Sequence, residues 1–191
     1  MVNPGMYYLI LLFSWKGGSL FLQLIEIIIV FTIVLPTSIL IHELGHALSI
    51  ISFSKKAEAD IFFGSRSKER KLKFKIGRVN FYITMAFSGF CFVSNLDKIP
   101  PLSYKQSLII DIGGPLASLI ASLFFYMCSF LFTGELSSFF NNFAIINLLL
   151  LLLSALPFKY SSIDKHLAGY SSDGLRILNL LKEMRKNKTI V

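Results

Sequence analysis

Long apolar blocks alternate with short basic segments along this chain, and the blocks set the expected elements. The first runs Leu20–Phe53. As a single helix it would reach about 50 Å at 1.5 Å per residue, against a hydrocarbon core of about 30 Å. It must therefore tilt, kink or project, and Pro36, with no N–H to donate, is the expected kink. Ser107–Phe132 and Phe139–Phe158 are the second and third spanning candidates. In the second, Gly113, Gly114, Ala117, Ser118, Ala121 and Ser122 are small enough to let another helix approach closely. Met6–Phe13 is apolar but too short to span, and reads as an interfacial or re-entrant anchor.

Between the first two blocks the period changes. Leu72-Lys73-Phe74-Lys75-Ile76 alternates apolar and charged residues, the pattern of a strand. Gly77-Arg78 makes a turn, and Val79–Val93 is apolar, β-prone and short, which predicts a strand or re-entrant segment. Asn95–Tyr104, with Pro100-Pro101, reads as a connection. Gly174–Lys186 carries apolar residues at helical spacing and predicts an amphipathic helix. The expected fold is an α-helical membrane protein, residues 1–191 as one domain. It has three main transmembrane helices, a short N-terminal apolar segment, a membrane-associated β-hairpin or re-entrant region and an amphipathic C-terminal helix.

Composition agrees: 54% of the residues are hydrophobic and 16% charged, more apolar than a soluble domain of this size carries. The net charge of +8 points to nucleic acid, anionic lipid or topology, and its distribution decides. The segment Ser54–Arg78 holds nine Lys/Arg against three acids, and a second basic segment follows the third block. Both read as cytoplasmic by the positive-inside rule, which gives an outside N-terminus, an inside C-terminus, a multi-pass protein of the cell membrane and no nucleic-acid partner. Cys91 and Cys128 lie in apolar stretches without metal-ligand spacing and read as small hydrophobes.

The chemistry concentrates in Ile41-His42-Glu43-Leu44-Gly45-His46-Ala47. Residues four apart on a helix share a face, so His42 and His46 can point at one zinc ion. Glu43 then stands where it can take a proton from a water on the metal. The chain has three histidines and two fall here. Ionisable groups inside an apolar helix are costly without partners, and the bland alternative is interhelical hydrogen bonding. A catalytic zinc site needs one more protein ligand. Asp164, His166 and Asp173 are the candidates, with Asp173 preferred. Ser171-Ser172-Asp173-Gly174 ahead of an apolar-periodic run is equally an ordinary helix N-cap, and on composition alone ligand and cap stand even. Asp111 reads as a helix-end carboxylate at the interface ahead of the alternative, support for the site or a polar way in for water. Glu26 reads as interfacial near the outer end of the first span.

Three ordered stretches, Ile41–Ala47, Gly113-Gly114-Pro115-Leu116 and Asp173-Gly174-Leu175-Arg176-Ile177-Leu178, resemble the motifs of the site-2 protease family of intramembrane zinc metalloproteases. The resemblance implies zinc on His42, His46 and Asp173, and Glu43 as catalytic base. It also implies a membrane-associated β element near the substrate at 72–93, and a transmembrane or membrane-associated protein substrate within the lipid bilayer. Where the family carries Asn-x-x-Pro, with the Asn serving substrate or oxyanion, this chain has Ser154-Ala155-Leu156-Pro157, so Ser154 stands in that position and Asn147, two turns earlier, is a weaker substitute. The competing readings are a catalytically inactive membrane zinc-binding or immunity/partner-binding protein, and a metal transporter using the same ligands in transit.

Overall fold

The structure is a computed structural model that describes residues 20–160 and 169–188. The expected anchor Met6–Phe13 and the candidates Asp164 and His166 lie outside the described residues. The elements in order are α1 (Leu20–Ile29), a π-helical turn (Val30–Val34), α2 (Leu35–Phe53), four strands, a short turn of helix at Leu96–Lys98, α3 (Tyr104–Ser129), α4 (Gly134–Ala155) and α5 (Asp173–Lys188). Three helices among the described residues are long and apolar enough to cross a membrane: Phe21–Phe53, Tyr104–Ser129 and Gly134–Ala155.

The first span is distorted one turn earlier than expected. Pro36 sits in the first turn of α2, and the irregularity is the wide turn Val30–Val34 just before it. A proline has no N–H for the carbonyl four residues back, and its ring crowds that carbonyl. The preceding turn widens to accommodate this, so the helix continues through a π turn without breaking. α3 begins earlier than hydropathy suggests because Ser103 and Gln106 form a capping box. Ser103 Oγ accepts from the Gln106 N–H at 3.3 Å, and Gln106 Oε1 accepts from the Ser103 N–H at 2.9 Å.

The β region is larger than a hairpin. The predicted hairpin is present, with β2 (Leu72–Ile76) antiparallel to β3 (Val79–Ile83) across Gly77-Arg78. The rest of Val79–Val93 forms a separate strand, β4 (Gly89–Val93), and the unpredicted β1 (Ala59–Phe63) joins the two. β1 runs parallel to β3 with Ile61 opposite Phe81, and antiparallel to β4 with Ile61 opposite Cys91. The order β2-β3-β1-β4 leaves β4 at one edge. β1 is buried along its whole length. A strand covered on both faces shows no alternation to read, and this one sits in a segment that otherwise reads as basic and polar. Ala59, Ile61, Val79 and Phe81 pack against Ala47 and Ile50 of α2, tying the sheet to the helix that carries the histidine pair.

Among the helices the usual arrangement is inverted. Large apolar side chains such as Ile120, Leu123, Phe124 and Leu152 are exposed, while Ser38, Ser118, Ser122 and Asn147 are buried. Lipid removes the hydrophobic drive between spans and leaves small-residue packing and interhelical hydrogen bonds to hold them. At the α2–α3 crossing a Cβ on Gly45 would strike the Gly113 carbonyl, and a Cβ on Gly113 would strike Ser49 and Gly45. The two backbones therefore touch. α5 fits the amphipathic expectation only loosely, since Leu178 and Leu181 remain exposed.

Candidate active site

His42 and His46 lie one turn apart on α2, buried, with ring centroids 5.0 Å apart. Each imidazole is held by its inner nitrogen. His42 Nδ1 is 2.9 Å from Ser118 Oγ, and His46 Nδ1 is 2.6 Å from the Ile110 carbonyl. A carbonyl only accepts, so Nδ1 of His46 carries the proton and Nε2 is left as the free donor atom. The Gly114 N–H also comes within 3.3 Å of that Nδ1. With Nδ1 protonated this is a close approach and not a second hydrogen bond. Pro115 lies inside α3 and has no N–H for the Asp111 carbonyl four residues back.

Asp173 completes the group from the far end of the chain. Its Oδ2 lies 3.1 Å from His42 Nε2 and 3.4 Å from His46 Nε2. Burial opposes the charge on Asp173, but the two histidines facing it, His42 foremost, outweigh it and hold the carboxyl well below the usual carboxylate range. The helix cap falls to the neighbouring residue. Ser172 caps α5, its Oγ accepting from the Leu175 N–H at 3.2 Å and donating to the Leu156 carbonyl at 2.6 Å. Asp173, the first residue of the helix, is thereby free to face the histidines. Ahead of α5, the described residues on either side of 161–168 pair as a narrow ribbon in which Tyr160 N–H donates to Tyr170 O at 2.9 Å and Gly169 N–H to Tyr160 O at 3.1 Å. The ribbon returns the chain to the membrane helices.

The three ligand atoms fall within 4.8 Å of one another. Two imidazole nitrogens and one carboxylate oxygen are a donor set suited to zinc. Gly114 provides room that an ion could use: a Cβ there would lie 2.7 Å from His42 Nε2 and closer still to His46 Nε2. The glycine leaves open the space between the two donor atoms.

Glu43 points beside this group into a cleft of about 670 Å³. Its carboxylate is buried, and Oε2 has no hydrogen-bond partner among the described residues. A buried acceptor left unsatisfied is costly. The backbone of β4 passes so close that a Cβ on Gly89 would lie 2.8 Å from Glu43 Cγ. The cleft runs between β4, the C-terminal end of α4 and the start of α5, walled by Phe87, Phe90, Phe158, Tyr160 and Tyr170 among others. Burial, reinforced by the Asp173 and Glu43 carboxylates, pushes Tyr160 up to about 12, so it lines the cleft as a neutral phenol. The guanidinium of Arg66 lies 3.8 Å from the Phe92 ring centre and 4.3 Å from that of Tyr170, joining the sheet to the segment that leads into Asp173.

Ser154 lines the cleft, its hydroxyl donating to Leu151 O at 3.3 Å. Asn147 lies away from it, fully buried, donating to Ser38 Oγ at 2.9 Å and to Phe143 O at 2.8 Å. Asp111, near the start of α3, is 3% exposed and paired with Arg176. Glu26 accepts from Asn142 Nδ2 at 2.9 Å, a bond between spans. Sequence reasoning read Ser118 only as a small packing residue and passed over the Ile110 carbonyl and Arg176. For Ser118 a signal existed, since it lies one turn after Gly114 on the same helix face.

Comparison with curated proteins and with solved structures returns no match. Against protein families, the match is to peptidase family M50 over residues 30–168, from the π turn through the histidine pair and the glycine crossing to a point short of Asp173. With most of the chain matched, and with the histidine pair, the glycine void and the distant aspartate converging beside a buried glutamate, the chain belongs to peptidase family M50, the site-2 protease family.

Proposed function

We propose that this protein is an intramembrane zinc metalloprotease of the cell membrane that hydrolyses a peptide bond in a transmembrane or membrane-associated protein. The observation that carries the reading is the convergence of His42, His46 and Asp173 on one point, with Glu43 Oε2, without a hydrogen-bond partner among the described residues, next to it and an open cleft in front. In this reading those three residues hold zinc, which when bound would polarise the scissile carbonyl and lower the pKa of water.

Glu43 is the base. It takes a proton from the attacking water and delivers it to the leaving amine nitrogen, which needs a carboxylate that is dry, close and otherwise unengaged. β4 is an edge strand beside Glu43, and an extended substrate segment has backbone N–H and C=O groups to pair along it. The aromatic walls accept bulky apolar side chains, as a membrane-derived segment carries. Ser154, on the cleft wall, is assigned to the substrate. Asn147, engaged with Ser38, is assigned to the packing of α4 on α2.

The test is Glu43→Gln in the purified full chain, with bound zinc quantified and cleavage of a transmembrane substrate followed. Zinc should remain stoichiometric while the rate falls on the order of 10²–10⁴-fold, the usual contribution of a general base. Undiminished cleavage by the variant would reject the role of Glu43. Zinc-loaded wild type that cleaves nothing favours an inactive zinc-binding or immunity/partner-binding protein, and zinc flux in liposomes favours a transporter.

A further inference from the structure

One ion pair between α3 and α5 has no part in the reaction as described. Asp111, in the second turn of α3, is 3% exposed. Arg176, in the first turn of α5, donates to Asp111 Oδ1 through Nη2. Its other terminal nitrogen, Nη1, lies 3.7 Å from Oδ1 of Asp173. The two oxygens of Asp173 therefore have different neighbours: Oδ2 faces the histidines and Oδ1 faces the guanidinium. The residue before Asp111 is Ile110, whose carbonyl holds His46 Nδ1 at 2.6 Å.

We propose that Asp111 and Arg176 are positioning residues of the metal site. Asp111 anchors the guanidinium, and the guanidinium fixes the plane of the Asp173 carboxylate so that Oδ2 is presented to the ion. The proposal rests on the metal-site reading above and adds two residues to it. The last torsion of an aspartate is broad, so a carboxylate held by one oxygen alone can rotate out of register. A guanidinium is planar with donors in a fixed fork and can serve two carboxylates at once. A lysine ammonium supplies the charge without the fork. Asp111 has a matching need, because a buried carboxylate on a membrane helix is expensive unless paired. One turn of α3 thus acts on two of the three ligands, through the Ile110 carbonyl on His46 and through Asp111 and Arg176 on Asp173.

Arg176 also lines the cleft, which makes direct contact with substrate the rival explanation. Asp111 does not, so it separates the two. The experiment uses the full chain in detergent. Zinc affinity is measured by chelator competition, the visible absorption of the cobalt(II)-loaded protein is recorded, and kcat and KM are measured at saturating zinc. Asp111→Asn should weaken zinc binding on the order of 10–100-fold, as loss of support behind a ligand does, and should shift the cobalt spectrum. Arg176→Lys should change both in the same direction, and the double variant should be no worse than the more affected single, because the two act as one unit.

Zinc affinity and a cobalt spectrum unchanged in Asp111→Asn overturn the proposal, as does an Arg176→Lys variant altered only in KM. If Asp111→Asn does not yield monodisperse protein, Arg176→Lys, whose side chain is 43% exposed, carries the test by the same readouts. Affinity and spectrum are read without substrate, so the two failures can be told apart. Absent hydrolysis by zinc-loaded wild type sinks the protease reading, while unchanged metal binding in both variants sinks this one.

Discussion

The first span meets α3 and α4 in two different ways. Against α3 the contact is backbone to backbone, through Gly45 and Gly113, with Gly114 beside the histidines and Ser118 behind His42. Toward α4 the contact is made by bulky side chains, Val30 and Val34 with Phe143 and Ile146, flanked by the Glu26–Asn142 and Ser38–Asn147 hydrogen bonds. The first seam has no slack. Two donor atoms on one helix must be held by groups on another, and the space between them is a missing methyl. The second seam holds a helix at roughly the right distance, and branched and aromatic side chains can repack there at small cost. A geometric site belongs on the first kind of surface and not on the second.

That contrast is broken most severely by Gly114→Ala. The added methyl falls on the histidine nitrogens, so zinc binding and cleavage should both be lost while the helices still assemble, read by metal content and by far-UV circular dichroism of the same sample. Full zinc content in this variant would mean that the space at Gly114 is not where the ion sits. Ser118→Ala comes next. It removes the hydrogen-bond partner of His42 Nδ1 without touching a ligand, and zinc affinity should fall on the order of 10–100-fold. The smallest effect is expected from Asn142→Ala on the other seam. Loss of one hydrogen bond between spans costs about 0.6 kcal/mol, so thermal stability in detergent should drop slightly with zinc affinity unaltered. A zinc affinity that falls as far in Asn142→Ala as in Ser118→Ala would erase the distinction between the two seams.

What could be read beforehand follows the range of the interactions involved. His42, Glu43 and His46 were legible because a helix converts a spacing of four into a shared face, and the hairpin over Leu72–Ile83 because alternation and a Gly-containing turn are local signals. β1 was not legible, because a strand covered on both faces shows no alternation and this one is embedded among lysines. The irregular turn at Val30–Val34 was misplaced onto Pro36 because a proline disturbs the turn before it, and how a helix absorbs that disturbance depends on what packs around it.

By itself, then, the chain determined three helices long and apolar enough to span, a histidine pair one turn apart on the first, and glycines at the middle of the second. These depend on hydrocarbon thickness and helical period, which act over a few residues. Only the tertiary structure decided that Ser172 takes the cap while Asp173 turns to the histidine pair, that Tyr160 pairs with Tyr170, that Asn147 turns to Ser38 while Ser154 meets the cleft, and that Asp111 finds Arg176. Each of these choices sets one polar group against several possible partners far along the chain. The choice is made by which partner the packed helices bring within hydrogen-bonding distance.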